Sequence, residues 1–454
     1  MADDSWRFLD VYRNQSLGTC LDSLVERYHL SDETARFSKL VNISESKSSP
    51  FHRWARYREG YSGDLVKELI RRSEVDGGLH IVVDPMCGSG STLVAAKELG
   101  IDSVGFDVNP FAVDLTNAKL ENYTEDDLRC VDRLLEHRSE PDNKVIPSLW
   151  DGMESSRSYF NPENFRALVS IRHWIESVDN QRAKHLLTTA WLTILEDCSN
   201  RRKNGNGLST TVTRVGNVWD CFRGRVKMLQ DDIRESPLSR QAFSAAINIS
   251  VLDSLPEVKI LSSKRGRTPK AVIFSPPYAN SFDYFETYKM ELLFGGYCDL
   301  YGLAQLKKKA IRNYRIGYGR ELKSDNQIVE LLCQEIWSVI PDKERATGTR
   351  DGRTRLVPNM LRGYFEDMRQ SIERISQMLP FGGWCHIVVD QSSYVGVVIP
   401  TDIVLASIAE RNGFEVKEIV KCRNANTSGQ QLKMFPHLKI MLRGSIVSLR
   451  RIGN

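Results

Sequence analysis

The sequence predicts an α/β fold built on one mostly parallel β-sheet, and two observations indicate it. A short apolar run at 80–83 is followed by a glycine-rich turn, a helix-forming stretch and a second apolar run at 103–106. Such a β-α-β unit requires a parallel, buried sheet. Strand-like runs resume at 246–251, after a long helical stretch, and continue near the end of the chain. A single sheet with an elaborated face accounts for both observations.

The strands and helices divide the chain into a core and two added regions. Strands are expected at 271–274, 383–390, 414–420 and 438–449, with a break at Gly444 left open, and helices at 164–177, 182–197 and 401–410. We therefore expect an N-terminal helical segment over 1–75, a core formed by 76–120, 245–300 and 376–454, a helical insertion over 121–244 and a basic region over 301–375.

Composition narrows the functional classes only slightly. The chain has 454 residues, and 62 Lys and Arg against 58 Asp and Glu leave a net charge of +4, too small to identify a nucleic-acid-binding protein. Its nine cysteines are odd in number and form no CxxC pair, which argues against a disulfide framework and a zinc cluster. We expect reduced thiols in the cytoplasm, no metal and no membrane segment.

The turn after the first core strand is the first candidate site. It runs from Asp84 through Gly88 and Gly90 into a helix. Glycines let a backbone approach a ligand closely, and a helix N-terminus favours a carboxylate or phosphate. The turn matches neither a Walker A sequence nor GxGxxG, so an ordinary strand-to-helix turn is the alternative.

A second acidic residue follows at the end of the next strand. Asp107 lies 23 residues after Asp84, where a carboxylate can accept both ribose hydroxyls of a nucleoside cofactor. The alternative is that Asp107 caps the helix that begins near Asn109 and Pro110.

The segment Ser275-Pro-Pro-Tyr278 is the most informative motif. Consecutive prolines fix the backbone and remove two donors, so that carbonyl oxygens can serve as acceptors in a cleft. The Ser275 hydroxyl and the Pro276 carbonyl would accept protons from an exocyclic amino group while Tyr278 stacks on the heterocycle. The alternative is an ordinary turn after a strand.

Together, three segments resemble the amino-methylating DNA methyltransferases: 84–92, 105–110 and 275–278. Ser-Pro-Pro-Tyr is typical of the cytosine-N4 branch of that family, whereas the adenine-N6 branch more often has Asp or Asn at the first position. Residues 51–62 resemble the family segment that completes the methionine end of the cofactor pocket. The resemblance implies S-adenosylmethionine as cofactor and a class I, Rossmann-like fold with a mostly parallel seven-stranded sheet, helices on both faces and a helical insertion.

The resemblance also implies roles for particular residues. Asp253 would contact the amino group on the adenine ring of the cofactor, with a surface turn as the alternative reading. The target base of the DNA would be flipped out of the duplex into the cleft. The target base would be held by Ser275, Pro276, Pro277 and Tyr278. The expected cofactor residues are Tyr57, Tyr61, Asp84, Pro85, Met86, Cys87, Gly88, Ser89, Gly90, Asp107, Asn109 and Asp253.

Two basic segments are candidates for contact with double-stranded DNA. Residues 201–230 and 303–324 each carry a net charge of +6, although a charge run is often only a solvated surface. Asp390, at the end of a predicted strand, is an additional residue that could line the cleft, with a helix cap or a loop position as the alternative. The candidate DNA-binding residues are Arg201, Arg202, Lys203, Lys307, Lys308, Arg312, Arg315 and Arg320.

These interpretations predict a site-specific DNA methyltransferase that modifies the N4 atom of a flipped cytosine. The resemblance suggests a restriction–modification or defence context with a partner nuclease. Adenine-N6 methylation of DNA and guanine-N2 methylation of tRNA are alternatives with the same fold. A non-catalytic DNA-binding subunit is the alternative from another functional class.

Overall fold

The structure is a computed structural model that describes residues 7–41, 48–57, 60–136, 149–204, 207–212, 215–280, 282–312, 322–425, 427 and 429–453. Twelve strands occur in these ranges: β1 Leu30–Asp32, β2 His80–Asp84, β3 Asp102–Phe106, β4 Arg201–Asn204, β5 Gly207–Thr210, β6 Ser244–Ile247, β7 Thr268–Phe274, β8 Trp384–Asp390, β9 Ser392–Tyr394, β10 Val397–Ile399, β11 Phe414–Asn424 and β12 Arg443–Arg451.

Eight of these strands form the central sheet, in the order β1-β11-β12-β8-β7-β2-β3-β6. All neighbouring strands are parallel except at β12, which is antiparallel to both β11 and β8. The remaining strands form two antiparallel pairs, β4-β5 and β9-β10. The predicted mostly parallel sheet is confirmed, with eight strands among the described residues rather than seven.

Helices surround the sheet, and four short 3-10 turns occur at His52–Trp54, Arg157–Tyr159, Val251–Asp253 and Thr354–Leu356. The α-helices are α1 Gln15–Arg27, α2 Thr34–Phe37, α3 Gly63–Arg72, α4 Ser91–Glu98, α5 Pro110–Leu120, α6 Glu125–Glu136, α7 Asp151–Ser155, α8 Pro162–Glu176, α9 Gln181–Thr193, α10 Leu195–Cys198, α11 Val218–Glu235, α12 Leu255–Arg265, α13 Tyr284–Thr287, α14 Lys289–Phe294, α15 Leu300–Lys309, α16 Gln327–Thr347, α17 Val357–Met378, α18 Thr401–Arg411, α19 Gly429–Met434 and α20 Leu438–Met441. None of these helices combines the length and the apolar character needed to span a lipid bilayer.

Successive side chains of the central strands point to opposite faces of the sheet and are buried on both. On β2, Val82 packs in one apolar cluster with α3, whereas Ile81 and Val83 pack in another with α17. This alternation follows from the two-residue period of a strand. Because both sets of side chains are fully buried, helices must cover both faces, as the sequence predicts.

The order of the strands reverses next to β2. The chain passes from β2 outward to β3 and β6, and then returns to the other side of β2 as β7. In open α/β sheets, ligands bind in the crevice beyond the carboxyl ends of the strands at such a switch point. Both predicted motifs follow these strands directly, since β2 ends at Asp84 and β7 ends at Phe274.

Three local predictions were wrong or incomplete. The strand expected over 246–251 begins and ends earlier, at Ser244–Ile247, and a 3-10 turn begins at Val251. The strand expected over 438–449 begins only at Arg443, because Leu438 and Met441 are buried while Lys439 and Ile440 are exposed, which is helical spacing. Within 121–244, the polar stretch after α10 contains the β4-β5 hairpin, which the sequence pattern did not indicate. The helices of this region share an apolar cluster with Phe111 of α5 and Phe294 of α14.

Candidate active site

A cavity of 360 Å³ opens at the switch point of the sheet, and both predicted turns line it. The wall contains the following predicted cofactor residues: Tyr57, Tyr61, Asp84, Pro85, Met86, Cys87, Gly88, Ser89, Asp107 and Asn109. From the second motif it contains Ser275, Pro277 and Tyr278. The turn after β2 and the turn after β7 therefore face one common space.

Asp84 forms the floor of the first turn. Its carboxylate accepts the backbone N–H of Met86 at 3.0 Å and the hydroxyl of Tyr61 at 3.4 Å. Burial raises the pKa of Asp84 to about 7. These hydrogen bonds help to hold the turn in shape, and the carboxyl group also lines the cavity.

Glycines at two positions of this turn leave room that a side chain would fill. Gly88 and Gly90 have φ values of +48° and +83°, in the left-handed region that glycine adopts most easily. A Cβ atom at Gly90 would lie 2.5 Å from the Cγ2 atom of Thr116. Gly90 also precedes the first residue of α4, so the N-terminus of that helix points into the turn.

Asp107 links the turn to the next strand. Its two oxygens accept the backbone N–H groups of Gly88 and Asn109, each at 2.8 Å. Burial raises its pKa. The helix cap is Asn109, whose side chain accepts the backbone N–H of Phe111 at 3.1 Å, so Asp107 is not the N-cap residue that was the alternative reading. The backbone N–H of Val108 also bonds this carboxylate, so part of its acceptor capacity is already used within the protein.

Two tyrosines from the N-terminal segment close the cavity on another side. Tyr57 stacks on Tyr288 with ring centroids 4.6 Å apart. The hydroxyl of Tyr61 contacts the Thr92 hydroxyl at 2.6 Å and the carbonyl oxygen of Ile273 at 3.4 Å. Since Tyr61 also contacts Asp84, it connects the end of β2 with the end of β7.

The second turn is held by its own side chains and by the β9-β10 pair. The Ser275 hydroxyl donates to the Tyr278 hydroxyl at 3.3 Å. The hydroxyl of Tyr394 donates to the backbone carbonyl of Ala279 at 2.9 Å. Ser275, Pro277 and Tyr278 are half-buried, which suits side chains on the wall of an open cavity.

Three of the residues predicted to hold the cofactor or the target base are not part of the cavity wall. Gly90 and Pro276 belong to the two turns but do not line the cavity themselves. Asp253 ends a 3-10 turn and is exposed, in accord with its alternative reading as a surface residue. The wall instead includes Ser250 and Val251 from the same segment.

Several wall residues were not assigned a role from the sequence. The aromatic side chains Phe282, Tyr284 and Phe285 follow the second motif closely, and this spacing was the signal available for them. Asp390 lies on the wall, as its position at the end of a predicted strand suggested. Lys309 and Arg423 carried no sequence signal beyond their charge, because their positions depend on packing between distant segments.

Several described cations of the first basic segment already contact other parts of the protein. Lys203 is buried, with its Nζ atom 2.5 Å from Glu291 and 4.6 Å from the ring centre of Tyr288. Arg201 packs over the ring of Tyr159, and Arg202 donates to backbone carbonyls. The prediction that Lys203 contacts DNA is therefore not supported, because its ammonium group is already paired in the interior.

The second basic segment contains both paired and exposed cations. Lys307 bonds Asp283 at 3.0 Å and Glu286 at 2.5 Å, and Arg312 pairs with Asp367 at 2.6 Å. These two residues brace the fold rather than present free cations. Lys308 and Lys309 are exposed. The predicted DNA-binding residues Arg315 and Arg320 lie outside the described residues.

Comparisons with known proteins point in the same direction as these motifs. A family model described as DNA methylase, covering N6 and N4 enzymes by its name, matches residues 6–118. The type II methyltransferase M.BsoBI of Geobacillus stearothermophilus is 26% identical over 92% of this chain and 89% of its own length. The type II methyltransferase M.AvaI of Nostoc sp. is 26% identical over 91% of this chain and 89% of its own length.

Among solved structures, an rRNA methyltransferase aviRa of Streptomyces viridochromogenes aligns with a TM-score of 0.30 and 10% identity, over 90% of this chain and 92% of that protein. A geranyl diphosphate methyltransferase aligns with a TM-score of 0.31 and 7% identity, over 86% of this chain and 77% of that protein. The sequence relationship is the more informative one: residues 6–118 match DNA methylases, and about nine tenths of the chain is similar to type II methyltransferases.

Proposed function

We propose that this protein is an S-adenosylmethionine-dependent DNA methyltransferase that modifies the exocyclic N4 atom of cytosine. The similarity to DNA methylases and type II methyltransferases supports the general activity. The choice of cytosine rests on the resemblance of Ser275-Pro-Pro-Tyr278 to the cytosine-N4 branch.

One observation carries the proposal: the turn at 84–90 and the turn at 275–278 line the same cavity. A methyl donor and its acceptor must lie within reach of each other, with the reacting atoms aligned. The cavity volume of 360 Å³ falls in the range of ordinary small-molecule sites. Two turns on opposite ends of the sheet would have excluded a shared reaction site.

The residues of the first turn fit the proposed cofactor. The backbone at Gly88 lies open to the cavity, and the N-terminus of α4 favours the carboxylate at the amino-acid end of the cofactor. The acceptor capacity that remains on the Asp107 carboxylate would hold the ribose. When bound, the cofactor would supply a methyl group on a sulfonium centre.

The second turn would hold the target base and orient its amino group. The lone pair of a cytosine N4 atom is delocalised into the ring, which makes the nitrogen a poor nucleophile. Acceptance of its protons by Ser275 and by the Pro276 carbonyl would favour a pyramidal nitrogen, and acceptors placed for the developing positive charge lower the barrier. Tyr278 would replace the stacking that the base loses when it leaves the duplex.

Base type and target sequence can be measured in one experiment. DNA from a host that expresses the protein is sequenced with a method that detects modified bases, and the same DNA is digested to nucleosides and weighed. N4-methylcytosine within a defined sequence is expected. N6-methyladenine would overturn the assignment of cytosine. The tRNA of the same host is digested and weighed alongside, and N2-methylguanine that appears only on expression, with unmodified DNA, would overturn DNA as substrate. Absence of methyl transfer from labelled cofactor to any DNA would indicate a non-catalytic subunit.

A further inference from the structure

A second cavity adjoins the candidate active site. It has a volume of 390 Å³ and lies next to the β9-β10 pair and the start of α17. Tyr278, Asn280 and Asp390 line both cavities, so they form the boundary between them. A base that stacks on Tyr278 would thus share a cavity with Asp390.

Asp390 is joined to Arg423 across the strand between them. Asp390 ends β8, Arg423 is next to last in β11, and both pair in register with Gly444 of β12. A Cβ atom at Gly444 would lie 2.3 Å from Asp390 and 3.0 Å from Arg423. Glycine at this position therefore lets the two side chains meet, with an Nη2–Oδ2 distance of 2.8 Å.

The guanidinium group of Arg423 is held on one side and open on the other. Asp390 accepts from Nη2, and no other acceptor for this side chain occurs among the residues that the structure describes. Arg423 lines the first cavity, and 29% of its side chain is exposed. Burial alone would lower its pKa, but the carboxylate of Asp390 keeps that pKa above its ordinary value.

A guanidinium group held in one orientation suits the edge of cytosine next to the amino group, because that edge carries hydrogen-bond acceptors. Next to N4, cytosine presents two acceptors, N3 and O2, and arginine binds paired acceptors with two parallel N–H groups. Adenine presents the acceptor N1 next to its amino group, but then a C2–H group that accepts nothing. An arginine at this point would thus distinguish the two bases by one hydrogen bond.

We infer that Arg423 selects cytosine by donating to its N3 and O2 atoms, and that Asp390 positions Arg423 for this contact. The inference rests on the proposed function, because it requires a base whose amino group lies at Ser275. It assigns Arg423 as a specificity-determining residue and Asp390 as a positioning residue. A pair that only braced β8 and β11 would have no effect on the choice of base.

The test combines a protein change with a base analogue. Duplexes carry the target sequence found by sequencing, with either cytosine or a 2-aminopyridine C-nucleoside at the target position. The analogue keeps the amino group and the adjacent ring nitrogen but lacks the oxygen that corresponds to O2. Methyl transfer to both duplexes is measured for the native protein, Arg423→Met, Arg423→Lys and Asp390→Asn. Arg27→Met is the matched control, since Arg27 forms an exposed ion pair with Glu410.

We expect Arg423→Met to lower kcat/KM on cytosine about 10- to 100-fold, the range for loss of a bidentate base contact, with the Kd of the cofactor unchanged. The native protein should have a lower kcat/KM on the analogue than on cytosine, and we call this ratio the analogue penalty. The penalty should largely disappear in Arg423→Met and become smaller in Arg423→Lys and Asp390→Asn. Arg27→Met should retain the full penalty.

An equal analogue penalty in the native protein and in Arg423→Met would overturn the inference, even if that variant were slow or less stable. This outcome leaves the proposed function intact as long as N4-methylcytosine is formed. If the native protein forms N6-methyladenine instead, the proposed function fails and the inference fails with it.

Discussion

The two turns at the sheet edge and the two basic segments differ in how much of their role lies in local sequence. Residues 84–90 and 275–278 follow directly from strand ends, and the sheet brings them together in one cavity. The basic segments look equally conspicuous in the sequence, yet several of their cations pair with carboxylates from elsewhere in the chain. A motif fixed by backbone geometry is therefore a better guide to the site than a run of charge.

The partners of these cations explain the difference. Lys203 bonds Glu291, which lies 88 residues further along the chain, and Arg312 bonds Asp367, which lies 55 residues further. A short stretch of sequence such as 201–230 or 303–324 therefore contains only one member of each pair. Net charge counted over a segment overstates the free positive charge wherever the fold supplies such a partner.

The largest effect that tests this comparison is expected for Lys203→Met. The change would leave the buried carboxylate of Glu291 without its cation, and breaking a buried ion pair in this way costs about 3–5 kcal/mol. Denaturant unfolding of this variant, with exposed Lys227→Met as the control, measures the loss in the free energy of unfolding. Unchanged stability with weakened DNA binding would show instead that Lys203 faces DNA.

The fold was predictable because its signals are local and periodic. Apolar runs at β2, β3, β7 and β8, together with the turn after Asp84, are sufficient to indicate a parallel sheet with helices on both faces. The strand β1 was not predicted, because its three residues are half-buried or exposed and depend on pairing with β11. The β4-β5 hairpin likewise carries no alternating apolar pattern.

The candidate site was predictable only where a motif carries its own geometry. Gly88 and Asp107 could be selected because a glycine turn and a strand-end carboxylate imply a position at the sheet edge. Arg423 could not, since it reaches the cavity only through its pairing across Gly444 with Asp390. The assignment of Asp253 stays a prediction, because an acidic residue after a strand also suits an exposed turn, and Asp253 is exposed.

The second prediction concerns the turn that the sequence identified best. Ser275→Ala removes the hydroxyl that would accept a proton of the target amino group, and loss of one such stabilising group costs about 100- to 1000-fold in rate. Methyl transfer from labelled cofactor to DNA should fall by this amount, while DNA binding measured in the same buffer is retained. Undiminished transfer would remove Ser275 from the proposed chemistry.

The third prediction follows from the buried carboxyl group of Asp84. Its pKa is raised by burial from 3.8 to about 7, so between about pH 4 and 7 the unfolded chain loses this proton while the folded protein keeps it. The free energy of unfolding should then decrease as the pH rises through this window, by at most about 1.4 kcal/mol per pH unit. Above about pH 7 this contribution is constant.

Asp84→Asn should remove this pH dependence, because an amide does not titrate. The free energy of unfolding of the variant and of the native protein is measured from pH 4 to 8 without cofactor. Subtracting one curve from the other removes the contributions of the other titrating groups. Parallel curves would mean that Asp84 is ionised in the folded protein over the whole range.

The smallest expected effect tests whether an exposed cation of the basic segments contacts DNA. Lys309 is the only described cation of the two basic segments that lines the cavity, and its side chain is exposed. If it contacts a phosphate of the bound DNA, Lys309→Ala should reduce the slope of log K against log salt by about 0.9. Lys259→Ala, an exposed lysine of α12 outside both segments, is the matched control and should leave the slope unchanged. Equal slopes for both variants would show that Lys309 contacts no phosphate of the bound DNA.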